Sequence, residues 1–294
     1  MTSRRQHTIP RFYLNPFLAP GFVYRRGEEA PRATYNPRDV AVSRSYYGKV
    51  DEFNTVVEEE GAPVFKQLIE DPRLITRDDW EVLSYLFANF AVRTPAVVES
   101  VRATMQILAA QANSMAKKMA ERIQEALEAG SDLSEFPRPS FDDSPSTSIA
   151  ESNEYAARMG MAGGHRLAML FDAVPETAAG IQKMQLSVFE APSGHECITS
   201  DRLLVLRSRV SDSPEGAGWL RPDAVGSIAL CPSKFLLMSY EDLPGIRRVS
   251  ATPKQVAALN IDTLRFADQE VYSRLENDEA NDWMKGRGRW CKPR

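Results

Sequence analysis

Gly226-Ser227-Ile228-Ala229-Leu230-Cys231-Pro232-Ser233-Lys234-Phe235-Leu236-Leu237-Met238-Ser239-Tyr240 is the stretch that decides the fold. Two short apolar runs flank a Pro-Ser pair, the pattern of two strands joined by a turn. Working outward, similar short runs recur at 203–207, 197–199 and 185–190, each bounded by Gly, Pro or Ser. Strands joined by such short connections pair as antiparallel neighbours, because a parallel pairing needs a crossover of roughly a dozen residues.

Upstream of Met184 the period is helical. Phe53, Val56, Val57, Val64, Phe65, Leu68 and Ile69 form one stripe, in which Gly61 and Pro63 are expected to kink or divide the helix. Thr76 is placed to cap a second helix, whose Trp80, Leu83, Leu86, Phe87 and Phe90 carry it to Arg93. Thr94-Pro95 ends that helix and reopens another, with Thr94 as N-cap and Pro95 in the first turn. The helix expected over 95–129 bears an apolar Met/Ala stripe that includes Val97, Met105, Met115 and Leu127.

Two modest helices are expected within 149–182. Thr252-Pro253 opens a closing helix whose apolar face is read as Val256, Leu259, Leu264, Phe266, Ala267 and Val271. Near the start, 9–19 is expected to be a short helix, and 22–26 and 33–43 short extended pieces of an edge or arm. Helices, then strands, then a helix make the chain α+β: a mainly helical N-terminal and central body, a small, mostly antiparallel C-terminal sheet and a closing helix. The divisions are an N-terminal arm over 1–50, a helical core over 51–130, a Ser/Pro/Asp-rich linker or surface loop over 131–148, and an α+β part over 149–294, packed with the helical core as one compact unit.

With 294 residues, 43% apolar and 26% charged, the chain can bury a sizeable core and is neither disordered nor fibrous in composition. A net charge of −4 argues against a generally cationic nucleic-acid binder, although Arg4, Arg5, Arg11, Arg25 and Arg26 precede the first acidic residue and a basic run closes the tail. Cys197, Cys231 and Cys291 are odd in number and widely spaced, which suits a reducing cytoplasm and gives neither a disulfide framework nor a zinc knuckle. No apolar run reaches the roughly 18 residues of a membrane-spanning helix. Membrane insertion is therefore not expected.

The phosphate-binding Gly-Lys-Ser/Thr loop, the dinucleotide fingerprint, the Gly-x-Ser-x-Gly elbow and the His-Glu-x-x-His helix are all missing. The residues left to carry chemistry are dispersed: His7, a glutamate among Glu58 to Glu60, Arg93, Asp201 and Asn260. Imidazole serves as acid, base or metal ligand, a carboxylate orients it or shares the metal, and a guanidinium forks onto phosphate or carboxylate. Each also has a structural role open to it: His7 tying down the N-terminus, Arg93 pairing with a glutamate, Asp201 capping a turn. His195 and Cys197 alternate along one segment, but two ligands do not make a zinc site and a plain turn is the stronger reading.

The run His7-x-x-Pro10-x-x-Tyr13-Leu14-x-x-Phe17 resembles the opening of the bacterial domain-of-unknown-function family 4238, and Arg93-Thr94-Pro95 resembles its central signature. Tyr46-Tyr47, Glu58, Thr199-Ser200-Asp201, Leu259-Asn260 and Val271-Tyr272 extend the likeness. The family's Asn-Pro after Thr-Ser-Asp is replaced by Arg202-Leu203, and the likeness is thin between Met119 and Lys183. The resemblance strengthens the selection of His7, Glu58, Arg93 and Asp201 as catalytic, with Tyr13 and Asn260 as ligand-binding. It supplies no reaction.

Two functions follow as expectations. The first is hydrolysis of a phosphodiester or other anionic substrate, nucleic acid included, at a cleft between the helical body and the sheet. His7 is its acid–base group or metal ligand, the acids hold a divalent metal or orient the histidine, and Arg93 holds negative charge. The second is a binding or regulatory module that associates, with itself or a partner, through the 95–129 helix. A role in toxin or phage-defence systems would suit either.

Overall fold

The computed structural model describes residues 5–34, 36–44, 51–94, 173–210, 219–240 and 246–286, together with scattered positions between 110 and 128. The chain divides into two compact units, one made of Met1–Val97 with Leu167–Arg294 and the other of Val98–Arg166. The first unit is α+β, with six α-helices, two larger, mostly antiparallel sheets and a two-stranded ribbon among its described residues. In the second, the described positions are helical and exposed, Met115 among them. The linker expected over 131–148 and the first of the two helices expected within 149–182 lie outside the described residues.

The opening residues form strand β1 (Arg5–His7), helix α1 (Arg11–Leu18), β2 (Gly21–Arg25), β3 (Arg32–Thr34) and β4 (Val42–Arg44). β1 and β4 make a two-stranded antiparallel ribbon in which His7 faces Val42. Pro10 stands at the N-cap of α1, so the helix starts two residues later than the 9–19 expected, and Pro16 lies inside it. The turn from α1 into β2 needs Gly21, since a Cβ there would fall 2.0 Å from the Phe17 carbonyl oxygen.

Helices α2 (Asp51–Glu70) and α3 (Arg77–Val92) follow, joined by a 3-10 turn at Pro72–Leu74. Of the kink or division expected in α2, division does not occur: helix runs through Gly61 and Pro63. Gly61 is explained by packing, because its missing side chain admits Leu86 of α3 to 3.0 Å of the Cβ position. At the other helix start Thr76 and Asp79 form a full capping box. Phe12 and Tyr13 of α1 insert between the aromatic faces of the two helices, with Tyr13 5.9 Å from Phe65 and 5.6 Å from Phe90 between ring centroids. That packing seats the N-terminal element on the helical hairpin.

Helix α4 (Val174–Gln182) packs on α3 and leads into β5 (Gln185–Glu190), β6 (Thr199–Ser200), β7 (Val205–Ser208), β8 (Ala224–Cys231), β9 (Lys234–Ser239) and β10 (Ile246–Ser250). The five-stranded sheet has the order β10-β5-β9-β8-β7, antiparallel except for the β10–β5 edge. The Pro-Ser turn joins β8 to β9 as its flanking runs predict.

Helix α5 (Pro253–Phe266) then leads to β11 (Glu270–Ser273) and α6 (Asp278–Met284). Val271 is thus a strand residue rather than part of the closing helix. After Phe266 the helix stops, and Val271 and Tyr272 pair antiparallel with Tyr24 and Val23 of β2. The second sheet, β3-β2-β11-β6, is therefore shared by the two ends of the chain. Tyr24, Ile198, Leu264, Val271, Trp283 and Met284 fill the core beneath it. Arg25 and Arg26 reinforce the joint, Arg25 donating to Glu270 at 2.6 Å and Arg26 to the carbonyls of Asp268 and Ala267 at 2.6 and 2.9 Å.

Candidate functional site

Three of the residues selected from the sequence meet around one guanidinium. Arg93, at the C-terminal end of α3, is only 2% exposed. Its Nη1 donates to Glu58 Oε1 of α2 in a short ion pair, and its Nη2 donates to the main-chain carbonyl of His7 at 2.8 Å. A buried cation needs a counter-charge and filled donor positions, and this fork has both. The guanidinium is engaged with the protein's own groups, the Glu58 carboxylate and the main chain at the end of β1.

The helical register extends this pair into a polar layer. Glu58 meets Arg93 while Gly61 meets Leu86, so α2 and α3 run antiparallel. One turn back from Glu58 is Asn54, and one turn back from Arg93 is Asn89, each on the same helix face as the residue four later. Asn54 is 3% exposed, Asn89 0% and Thr94 2%. The carboxamide oxygens and nitrogens of both asparagines and the Thr94 hydroxyl are buried without a hydrogen-bond partner among the described residues. The helix that Thr94 is expected to cap begins outside the described residues.

His7 is partly buried at the end of β1. The next residue fixes it further: the Thr8 amide and hydroxyl both donate to the Ala41 carbonyl, at 2.8 and 3.1 Å. Ala41 pays for that geometry with a left-handed backbone, φ +52°, which an L-residue with a Cβ adopts unwillingly.

The other selected residues have structural work. Asp201 accepts three backbone amides, from Asp268 at 2.8 Å, Gln269 at 2.6 Å and Glu270 at 3.1 Å, and so ties the loop after β6 to the start of β11. Burial nonetheless pushes its carboxyl up from the ordinary aspartate value, with the three amides opposing the shift. Asn260 accepts from the Ile198 amide at 3.0 Å and donates to the Glu196 carbonyl at 2.9 Å, clamping an extended segment onto α5. The Tyr13 hydroxyl lies 2.7 Å from Thr199 Oγ1 and donates to the Ala229 carbonyl at 2.7 Å, pinning α1 to both sheets, and burial raises its pKa. None of these hydrogen bonds of Asp201, Asn260 or Tyr13 reaches His7, Glu58 or Arg93.

His195 lies in a turn, its amide donating to the Pro192 carbonyl at 3.1 Å. Cys197 is a buried free thiol that burial pushes up to about 12, and Cys231 is also buried and free. Among the described residues no group of three or more His, Cys, Asp or Glu side chains is placed to hold a metal ion, and no helix is long and apolar enough to cross a membrane. Tyr46, Tyr47, Cys291 and the basic tail beyond Gly286 lie outside the described residues.

Fold and site together define an α+β protein whose N-terminal strand is latched by an arginine onto a helical hairpin with a buried polar layer. The chain belongs to the family described as Protein of unknown function (DUF4238), which matches residues 5–277. No curated protein and no solved structure matches it. Asn54 and Asn89 escape a reading of the sequence, because a helical asparagine ordinarily faces water. The available signal was their spacing, four residues before Glu58 and Arg93.

Proposed function

We propose that this protein hydrolyses a phosphodiester or other anionic substrate, in the manner of a nuclease, with the His7 imidazole as its acid–base group. One observation carries the reading: the His7 segment and the Arg93 segment, 86 residues apart, are joined by the guanidinium of Arg93, which also holds Glu58. A stabilising role alone would be served by apolar packing, since a buried ion pair is a poor source of stability. Held by its carbonyl, the His7 backbone is fixed, and in this scheme its imidazole exchanges a proton with an attacking water or a leaving oxygen. Arg93 and Glu58 are positioning residues in this scheme.

The test is cleavage of labelled single- and double-stranded DNA and RNA, with and without Mg²⁺ or Mn²⁺, by the wild type and by His7→Ala, both shown to be folded. Cleavage by the wild type alone supports the reading, and cleavage by neither protein removes it. Association through the 95–129 helix is the second reading, favoured by Met115, which is 72% exposed on that segment. Light scattering of the wild type and Met115→Glu separates the two.

A further inference from the structure

We infer that Asn54, Asn89 and Thr94 form a recognition site for a nucleobase edge, a substrate feature that rests on the nuclease reading of the same layer. Three polar side chains, each at least nine-tenths buried, have unpartnered atoms there. A buried polar group left unpaired is costly, so a site that keeps three of them is built for something that pairs with them.

Charge narrows the class. Glu58 neutralises Arg93, so the pair presents no net charge to a ligand. What the layer adds is two carboxamides, each with donors and an acceptor, and a hydroxyl that serves as either. That set is poor at holding a bare phosphate, which wants cations and donors only. It suits a neutral planar group with adjacent donors and acceptors, and a carboxamide pairs with such an edge by two bonds at once, as with adenine. Asn54 lies one turn from Glu58 on α2 and Asn89 one turn from Arg93 on α3, so each amide borders one end of the latch that carries His7. Recognition of the base and placement of the acid–base group then share one pair of helices.

The experiment is calorimetric and thermal-shift titration of the full chain with adenosine, guanosine, cytidine and uridine, and separately with inorganic phosphate and ribose 5-phosphate. It is run on the wild type, Asn54→Leu, Asn89→Leu and the isosteric Thr94→Val. At least one nucleoside is expected to bind and raise the wild-type melting temperature, and each asparagine variant is expected to weaken it about tenfold or more. The ligand-free melting curve of each variant shows that it is folded, and Thr94→Val, which keeps the shape and removes one hydroxyl, is expected to weaken binding as a member of the same site. Binding of no nucleoside, equal binding by wild type and folded variants, or binding of phosphate alone would overturn the inference. Nucleoside binding without nucleic-acid cleavage would leave the site standing and remove the hydrolytic reading, whereas cleavage without nucleoside binding would do the reverse.

Discussion

Arg93 grips the His7 backbone: Nη2 donates to the His7 carbonyl at 2.8 Å while Nη1 holds Glu58. A planar fork can serve two acceptors in different directions, and an ammonium on a flexible stem does so poorly. Arg93→Lys is therefore expected to keep the charge and the fold but loosen β1. Hydrogen exchange at the Thr8 amide, which bonds Ala41 in the wild type, should accelerate. On any substrate found by the cleavage survey, kcat should fall by about 10- to 100-fold with KM little changed, as misplacement of a reacting group predicts.

Removing the counter-charge tests the latch as a structural element. Glu58→Gln leaves a guanidinium that is 2% exposed without its carboxylate, and urea unfolding should show a loss of about 3 kcal/mol. Glu58→Leu combined with Arg93→Met should recover most of that stability and still lack activity. A double variant as unstable as the single one would mean that packing around the pair, not its charge, is at stake.

Asp201 is predicted to matter for folding and not for turnover. Its two oxygens satisfy three amides of the turn into β11, and Asn offers one acceptor oxygen and an unwanted donor in their place. Asp201→Asn should cost about 2 kcal/mol in denaturant unfolding. The activity per folded molecule should remain at the wild-type level, and a selective loss of kcat in folded protein would return Asp201 to the chemistry.

Several of these features were readable in advance and others were not, for definite reasons. The two short apolar runs around Pro232-Ser233 and the capping residues Thr76 and Thr252 are local signals, and the structure follows them closely. The pairing of β2 with β11 is a contact between residues more than two hundred apart, which no local pattern announces. Val271 fell on the helical spacing of α5, and only its partner strand shows it to be extended. Among site residues, His7, a glutamate among Glu58 to Glu60, Arg93 and Asp201 stand out as polar residues among apolar elements and the family likeness strengthens them, but the carboxylate of Asp201 is occupied by three backbone amides. A carboxylate's identity is legible in sequence, but its existing hydrogen bonds are not.

The left-handed backbone at Ala41 offers a gain-of-stability test beside the site. Glycine adopts φ +52° without the Cβ penalty, so Ala41→Gly should raise stability by about 0.5–1 kcal/mol after its greater unfolded-state entropy is deducted. Because Ala41 accepts both donors of Thr8, the relief reaches the residue next to His7. A melting temperature that rises while activity drops would identify the strain as part of the mechanism. A rise in both would mark it as incidental.

Glu190 supplies the acid-range prediction. The hydrogen bond from Arg248 lowers its carboxyl below the ordinary glutamate value, burial opposes the shift, and Lys234 adds to the lowering. Its oxygens lie 2.7 Å from Arg248 and 3.2 Å from Lys234, joining the parallel edge strand β10 to β5 and β9. A carboxyl whose folded pKa is depressed gives stability that is complete above its unfolded value and lost as pH falls through the folded one. Glu190→Gln should thus be less stable than wild type by about 0.5–1 kcal/mol at pH 7. The gap should close progressively as pH drops below about 4, the ordinary range for glutamate. Paired urea titrations at neutral and acidic pH measure it directly, and a gap that persists unchanged in acid would assign the effect to packing of the edge strand rather than to charge.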